Sequence, residues 1–257
     1  MWVAELCFKI IANTTYTDAE SGIRRYLEAL IFNGQILGRE FPTHLAQDQF
    51  VCRVVIPTQD AMQNQSHSSK GLRALSDLAQ VGLAYPQTEI LGVDLMSHHT
   101  DPCDAPDEYV LYCRFGQMNS VVYCKEHLAP VPLFLLPATD TADHEALIRW
   151  QLQYQALDEI QMQQDSVLLH AAEDALQNLQ SPLNQQGRQF AQTLSQRLNK
   201  PVYYALYRGS SHDCSQEQHR RCPSCNSAWL RPTRLADLFD FQCDRCLLLS
   251  NIAWSCQ

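Results

Sequence analysis

The chain has 257 residues, of which 46% are hydrophobic, and a formal net charge of −9 at pH 7. This length exceeds one typical domain, so two or three units are expected. The longest apolar run, residues 131–138, is short and contains prolines, and the N-terminal residues lack a basic region and a cleavage site. The composition therefore predicts a cytoplasmic protein without a membrane partner. Eleven cysteines, two pairs of them spaced for metal binding, also favour the cytosol when no secretion signal is present.

The first part of the chain, residues 1–96, alternates between strand-like and helix-like patterns. The predicted elements are a strand at 2–11, a helix at 18–32 capped by Asp18, strands at 35–41 and 50–56, a helical stripe at 72–83 and a strand at 89–95. The order β-α-β-β-α-β is that of the ferredoxin-like, or split βαβ, sandwich. We therefore expect an α+β protein with a ferredoxin-like N-terminal domain.

The second part, residues 97–137, combines a predicted β-hairpin with a group of cysteines and histidines. Strand-like runs at 109–115 and 120–124 form the hairpin. The residues that could hold a second metal ion around it are His98, His99, Cys103, Cys124 and His127. One of the two neighbouring histidines would join Cys103 and the Cys-x-x-His pair. The alternative is that the cysteines are simply buried and the histidines exposed, because free cysteine is often buried in proteins.

The third part, residues 138–208, is predicted to be helical and to end in a strand. Apolar residues recur at helical spacing in three stretches, at 147–157, 169–179 and 190–198. Ser181-Pro182 interrupts this pattern, so the second helix is expected to end there. The segment 201–207 contains three tyrosines and is expected to form a half-buried strand rather than a ligand-binding surface.

The fourth part, residues 209–257, carries the most specific motif of the chain. Cys222-Pro-Ser-Cys225 and Cys243-Asp-Arg-Cys246 are separated by 17 residues, which is the spacing of a zinc ribbon. Asn226 follows the first pair, where a left-handed backbone conformation is often needed. Four thiolates leave no open coordination position, so the zinc would be structural. Two disulfides, or one redox pair, are the alternatives. Its apolar core is expected to contain Trp229, Phe239, Phe241 and Trp254.

Charge is unevenly distributed along the chain. Residues 140–174 contain eight acids and one base, whereas residues 188–234 contain eight bases and two acids. A basic C-terminal part beside an acidic body is compatible with an anionic partner. The arginines expected to contact nucleic acid are Arg220, Arg221, Arg231, Arg234 and Arg245. Solvated surfaces can also acquire such clusters by chance.

Three segments of the second half resemble a known family. They read Pro-Val-Tyr-Tyr-Ala-Leu-Tyr-Arg (201–208), Phe-Asp-Phe-Gln-Cys-Asp-Arg-Cys (239–246) and Ser-Asn-Ile-Ala-Trp (250–254), with Val-Pro-Leu-Phe (131–134) also similar. The family consists of uncharacterised bacterial proteins described as zinc-ribbon-containing, with nucleic-acid binding suggested for them. The resemblance implies that the four ribbon cysteines bind metal. It also implies a second site, because family members carry a cysteine pair where this chain has Cys124 and His127.

These observations predict a zinc-binding protein with one zinc ion, or two if the central site is real. No phosphate-binding glycine loop, nucleophile elbow or metalloprotease motif occurs, so we expect no catalytic residue and no enzyme activity. The first expected function is nucleic-acid binding through the basic ribbon. A protein-interaction adaptor is the alternative, and a metalloenzyme working at the mixed Cys/His site ranks third.

Overall fold

A computed structural model describes residues 1–140, 143–164, 167–211 and 213–257. These residues form two compact units that interleave along the chain. The first unit comprises Met1–Thr100, Met118–Ser120 and Pro130–Glu145, and the second comprises Asp101–Gln117, Val121–Ala129 and Ala146–Gln257. Each unit has its own β-sheet, so the protein is a mixed α+β structure. None of the described helices combines the length and apolarity that crossing a membrane requires.

The first unit is a four-stranded antiparallel sheet packed against helices. Its elements are β1 (Trp2–Lys9), α1 (Tyr16–Asn33), β2 (Thr43–Ala46), β3 (Gln49–Ile56), α2 (Ser69–Asp77) and β4 (Gln87–Val93). They follow one another in the predicted order, and the strands are arranged β2-β3-β1-β4. Alternate side chains of β1 enter the core, and the buried face of α1, with Ile23, Tyr26 and Leu30, covers them.

Two details of this unit differ from the sequence prediction. Thr15, not Asp18, caps α1: its hydroxyl oxygen accepts a hydrogen bond from the Asp18 amide at 3.1 Å. The strand expected at 35–41 is instead an irregular segment, which pairs with β3 through the isolated Leu37–Val55 bridge. Its first residue, Gln35, is completely buried, and its backbone amide donates to the Leu30 carbonyl at 2.9 Å, so it completes the C-terminal cap of α1 instead of pairing with a strand.

The second unit contains a six-stranded sheet in the order β6-β5-β7-β10-β9-β8. The strands are β5 (Tyr109–Leu111), β6 (Val122–Cys124), β7 (Val202–Leu206), β8 (Leu230–Leu235), β9 (Phe239–Cys243) and β10 (Leu248–Ser250). The three central strands β5, β7 and β10 are parallel, and antiparallel strands flank them on both sides. The strands of the ribbon are therefore continuous with the central sheet, because β10 pairs with β7.

Helices α3 (Glu145–Gln163), α4 (Leu169–Gln177) and α5 (Pro182–Leu198) connect β6 to β7. The break predicted at Ser181-Pro182 is confirmed, because α4 ends before it at Gln177, and the same two residues also begin α5. The Ser181 hydroxyl accepts from the Asn184 amide, and proline is well suited to the first helical turn. Gly187 lets α5 approach the sheet closely, since a Cβ there would lie 2.5 Å from the Tyr204 ring.

The four predicted segments 1–96, 97–137, 138–208 and 209–257 do not correspond one to one with these units. Residues 97–137 contribute to both, and the C-terminal segment shares its sheet with β7. The short helix α6 (Cys214–Glu217) is joined to the C-terminus by a disulfide between Cys214 and Cys256, which the sequence analysis did not predict. Nine cysteines are free thiols in the structure.

Candidate metal centres

The four ribbon cysteines converge as predicted. The sulfur atoms of Cys222, Cys225, Cys243 and Cys246 all lie within 4.8 Å of one another. Cys225 Sγ and Cys243 Sγ are 3.6 Å apart. Cys222 and Cys243 are buried, and the other two are partly exposed. A tetrahedral arrangement of four thiolates around one ion fits this group, which we call the ribbon cluster.

The local backbone explains how each cysteine pair closes around a centre. The Asn226 amide donates to the Cys222 carbonyl at 2.9 Å, and the Cys222 amide donates to the Ser227 carbonyl at 2.9 Å. Asn226 has a φ of 58°, which confirms the left-handed conformation expected there. After the second pair, Leu247 adopts a φ of 48°. A bulky residue rarely adopts this conformation unless its surroundings impose it.

The thiols of the ribbon cluster differ in their readiness to ionise. Hydrogen bonds from Ser227 lower the pKa of Cys225 to about 6. Burial raises the pKa of Cys243 to about 12, and it also raises the pKa of Cys222. A bound cation would have to displace protons from the buried thiols, so metal binding here releases protons.

Two of the four predicted aromatic residues support the ribbon cluster. Trp229 and Phe241 are buried and lie 5.1 Å apart between ring centroids. Phe239 belongs to the core around Tyr203 and Leu249. Trp254 is 48% exposed and takes no part in this core, because it lies in a C-terminal turn held by the Cys214–Cys256 disulfide.

A second cluster lies near the β5–β6 hairpin. It is formed by Asp101, Cys103, Cys124 and His127, whose ligand atoms also lie within 4.8 Å of one another. Three of the predicted residues therefore come together, but Asp101 occupies the place we assigned to His98 or His99. The histidine Nδ1 is the common neighbour, 3.0 Å from Asp101 Oδ1, 3.6 Å from Cys103 Sγ and 3.7 Å from Cys124 Sγ.

The turn at this second cluster has the same hydrogen bonds as the turn at Cys222. The Leu128 amide donates to the Cys124 carbonyl at 2.9 Å, and the Cys124 amide donates to the Ala129 carbonyl at 3.0 Å. Leu128 has a φ of 48° and holds the position that Asn226 holds in the ribbon. A Cys-x-x-His sequence therefore folds into the same turn as Cys-x-x-Cys, with the left-handed residue directly after the second ligand.

Asp101 supplies an independent indication that a cation belongs in the second cluster. Its side chain is 1% exposed, and its Oδ2 atom is buried without a hydrogen-bond partner among the described residues. An unpaired buried carboxylate oxygen is costly unless a cation or donor satisfies it. The mixed oxygen, nitrogen and sulfur donors fit a tetrahedral metal ion such as zinc. We call this group the DCCH cluster.

A polar network extends from one cluster to the other. Lys125, inside the Cys124–His127 turn, donates to Glu108 at 2.7 Å and lies 4.2 Å from the Tyr203 ring centroid. The Tyr203 hydroxyl is 2.8 Å from Asp244 Oδ1, inside the other cysteine turn, and 3.2 Å from Glu108 Oε1. Strand register places both turns at the same end of the sheet, where the parallel strands begin.

The five arginines expected to contact nucleic acid have different environments. Arg220 is directed inward: its guanidinium lies 4.5 Å from the Phe241 ring centroid and 3.1 Å from the buried Glu217 carboxylate. Burial lowers the pKa of Arg220 to about 10. Arg234 pairs with Asp240 at 2.6 Å, and Arg231 hydrogen-bonds to Gln242. The remaining two, Arg221 and Arg245, are exposed.

Comparison with known proteins places the chain among bacterial relatives. Residues 1–92, 103–207 and 211–256 match three families, each described as a domain of unknown function (DUF8589, DUF2310 and DUF8594, respectively). A solved structure of a proposed antibiotic biosynthesis monooxygenase from Deinococcus radiodurans aligns over 39% of this chain and 100% of its own, with 8% identity. Its TM-score of 0.27 is too low to support any conclusion.

Two proteins of Haemophilus influenzae, each described as an uncharacterized protein, are clear relatives. One is 33% identical over 263 residues and covers 99% of both chains. The other is 32% identical over 177 residues, which cover 69% of this chain and 87% of the relative. The chain therefore belongs to the same protein family as these two Haemophilus influenzae proteins.

Proposed function

We propose that this protein binds two structural zinc ions and contacts nucleic acid through a polar groove beside the ribbon cluster, and that its N-terminal unit is a ferredoxin-like domain. The observation that carries the proposal is the convergence of the four ribbon cysteines, with the DCCH cluster at the same end of the sheet. Each cluster offers four ligands, which fill a tetrahedral coordination sphere. The proposal therefore assigns no catalytic residue.

The groove lies between α5 and the cysteine turns and has a volume of about 650 Å³. One side presents glutamines and Arg188 from α5, and the other presents Ser224 and Arg245 from the two turns. No acidic side chain of the described residues lines it. Guanidinium groups bind phosphate, and amide and hydroxyl groups hydrogen-bond to phosphate, sugar or bases. This composition supports an anionic, hydrogen-bonding ligand such as a nucleic-acid strand.

The groove changes which arginines should be tested. Arg220 is unsuitable, because its removal would leave Glu217 buried without this partner. Arg188 and Arg245 face the groove, and neither forms an ion pair with a described residue. We expect the double variant Arg188→Gln/Arg245→Gln to weaken binding of single-stranded RNA or DNA. The slope of log affinity against log salt should become flatter by roughly 1.4 to 1.8, at about 0.7 to 0.9 per contact.

A matched control removes two exposed arginines from the first unit. Arg25→Gln/Arg73→Gln changes the net charge equally but should leave the slope unchanged, since both residues lie far from the groove in sequence and on other helices. Zinc content should remain the same in both double variants. Absence of binding to single- or double-stranded nucleic acid at low salt, or an identical loss in both variants, would refute the nucleic-acid proposal.

A protein-interaction adaptor is the second candidate, and β4 is the observation that favours it. This strand lies at the edge of its sheet, and Ile90, Leu91 and Val93 are each partly exposed. Leu95 and Met96 follow with exposures of 90% and 93%. Exposed edge strands with apolar side chains can pair with another chain. Sedimentation analysis of the wild type and of Leu95→Ser/Met96→Ser tests self-association first: a dimer that the double variant disrupts supports this candidate.

A further inference from the structure

A cleft of about 380 Å³ opens at the end of the six-stranded sheet opposite the two clusters. Residues that follow β5, that end β7 and that follow β10 form its base, and α3 forms one wall. Ligand sites of sheets with parallel strands commonly lie at the carboxyl ends of those strands. None of the ligands of either cluster lines this cleft, so it is a separate candidate site.

The cleft contains a buried carboxylate that no cationic side chain of the described residues pairs with. Asp158 of α3 is 6% exposed, and no ion pair connects it with a described residue. Three residues further along the helix, Gln161 is 7% exposed, and its Oε1 atom has no hydrogen-bond partner among the described residues. Both are acceptors at neutral pH, and both line the same cavity. Lysine, arginine and histidine are absent from the described lining.

Aromatic rings surround these two acceptors. Tyr112, Tyr154 and Phe239 belong to the inner lining, where Tyr112 and Phe239 meet edge to face with centroids 5.5 Å apart. Phe115 and Trp254 are 45% and 48% exposed, which places rings at the mouth of the cleft. Aromatic faces attract cations, and the attraction grows when the cation is desolvated. The aromatic rings and the Asp158 carboxylate therefore both favour a cationic ligand.

We propose that this cleft binds a small organic cation carrying a primary ammonium group on an apolar or aromatic body. The ammonium would pair with the Asp158 carboxylate and donate a second hydrogen bond to Gln161 Oε1. Its body would lie between the rings at the mouth. Such a ligand can donate to both acceptors at once and also neutralises the Asp158 charge, which a neutral or anionic ligand cannot do. The proposal is independent of zinc and of nucleic-acid binding.

Calorimetric titration of the full-length protein with two matched ligands tests the proposal without any variant. The probes are 2-phenylethylammonium and its neutral counterpart 2-phenylethanol. We expect the cation to bind at least about tenfold more tightly, because only the cation can neutralise Asp158. Equal affinities would overturn the proposal. Absence of cation binding at concentrations up to roughly 10 mM would overturn it as well.

Variants then assign the preference to Asp158. Asp158→Asn keeps the shape of the side chain but removes its charge, so the tenfold preference for the cation should disappear. The matched control is Glu159→Gln, which removes an exposed charge from the next position of α3 and should leave both affinities unchanged. A preference that survives Asp158→Asn overturns the proposal. Tighter binding of cytidine or guanosine than of the ammonium would reassign the cleft to a nucleic-acid base and overturn it too.

Discussion

The two clusters occupy the same end of one sheet but differ in how they are built. The ribbon cluster draws its ligands from two Cys-x-x-Cys turns, each of which supplies two sulfurs. The DCCH cluster has only one such turn, at Cys124 and His127, and takes Asp101 and Cys103 from an irregular segment. Two rigid turns preorganise four ligands, whereas one turn preorganises two. We therefore infer that the DCCH cluster would depend more on a bound metal ion for order than the ribbon cluster would.

The largest expected effect comes from removing one cysteine ligand from each cluster in turn. Cys243→Ser should abolish one zinc equivalent and lower the melting temperature by more than about 10 °C, because β9 and β10 continue the central sheet. Cys124→Ser should abolish the other equivalent. Elemental analysis and thermal denaturation of freshly purified, reduced protein measure both effects.

The zinc count of each variant decides between one centre and two. Two equivalents in the wild type and one in each variant are expected. One equivalent in the wild type that persists in Cys124→Ser would eliminate the DCCH cluster as a metal site. Cys113→Ser is a suitable control, since Cys113 is a buried thiol that belongs to neither cluster, and its zinc content should equal that of the wild type.

A smaller effect is expected from replacing the carboxylate of the DCCH cluster. Asp101→Asn preserves size but removes the charge, and we expect zinc affinity at this cluster to fall by about tenfold to hundredfold. Competition with a chromophoric chelator measures this change, while the ribbon cluster serves as an internal reference in the same protein. The double variant His98→Ala/His99→Ala should leave the affinity unchanged. A loss caused by the histidine variant and not by Asp101→Asn would reverse the ligand assignment.

The smallest expected effect compares Asp101 with Asp158, a buried aspartate that belongs to neither cluster. Burial raises the pKa of Asp158 to about 6 from its usual 3.8. The unfolded chain therefore releases this proton at lower pH than the folded chain, so stability falls as pH rises from about 4 to about 6. Asp158→Asn should stabilise the protein above pH 6, by on the order of 1–2 kcal/mol, and should have no effect below pH 4.

Chemical denaturation of the wild type and Asp158→Asn at several pH values checks this prediction. The titratable neighbours Tyr112, Tyr154, Tyr207 and Cys113 have pKa values raised by burial, so they remain neutral across this window. Glu159 is exposed and is present in both the wild type and the Asp158→Asn variant. A variant that is less stable than the wild type at pH 7 would show that the Asp158 charge has a stabilising partner.

The features that the sequence predicted correctly are those that depend on the local geometry of the chain. The spacing of the four ribbon cysteines and the left-handed Asn226 follow from the requirements of one turn, and the order of elements in the first unit follows from periodicity. Asp101 could not be selected, because it is one of 28 acidic residues and only the folded chain brings it to His127. The inward direction of Arg220 depends on the rings of Trp229 and Phe241 as well as on the nearby Glu217, and only the folded chain brings these rings to the guanidinium.

The Tyr203 hydroxyl has a consequence for how the two clusters would acquire the proposed metal ions. It has one proton to donate, yet two carboxylates lie within hydrogen-bond distance, one from each half of the network. Ordering the turn around Asp244 fixes Tyr203, which in turn positions Glu108 and Lys125 beside the other turn. Loading of the two centres should therefore be thermodynamically linked, so that the first ion increases the affinity for the second, and Tyr203→Phe should make their occupancies independent.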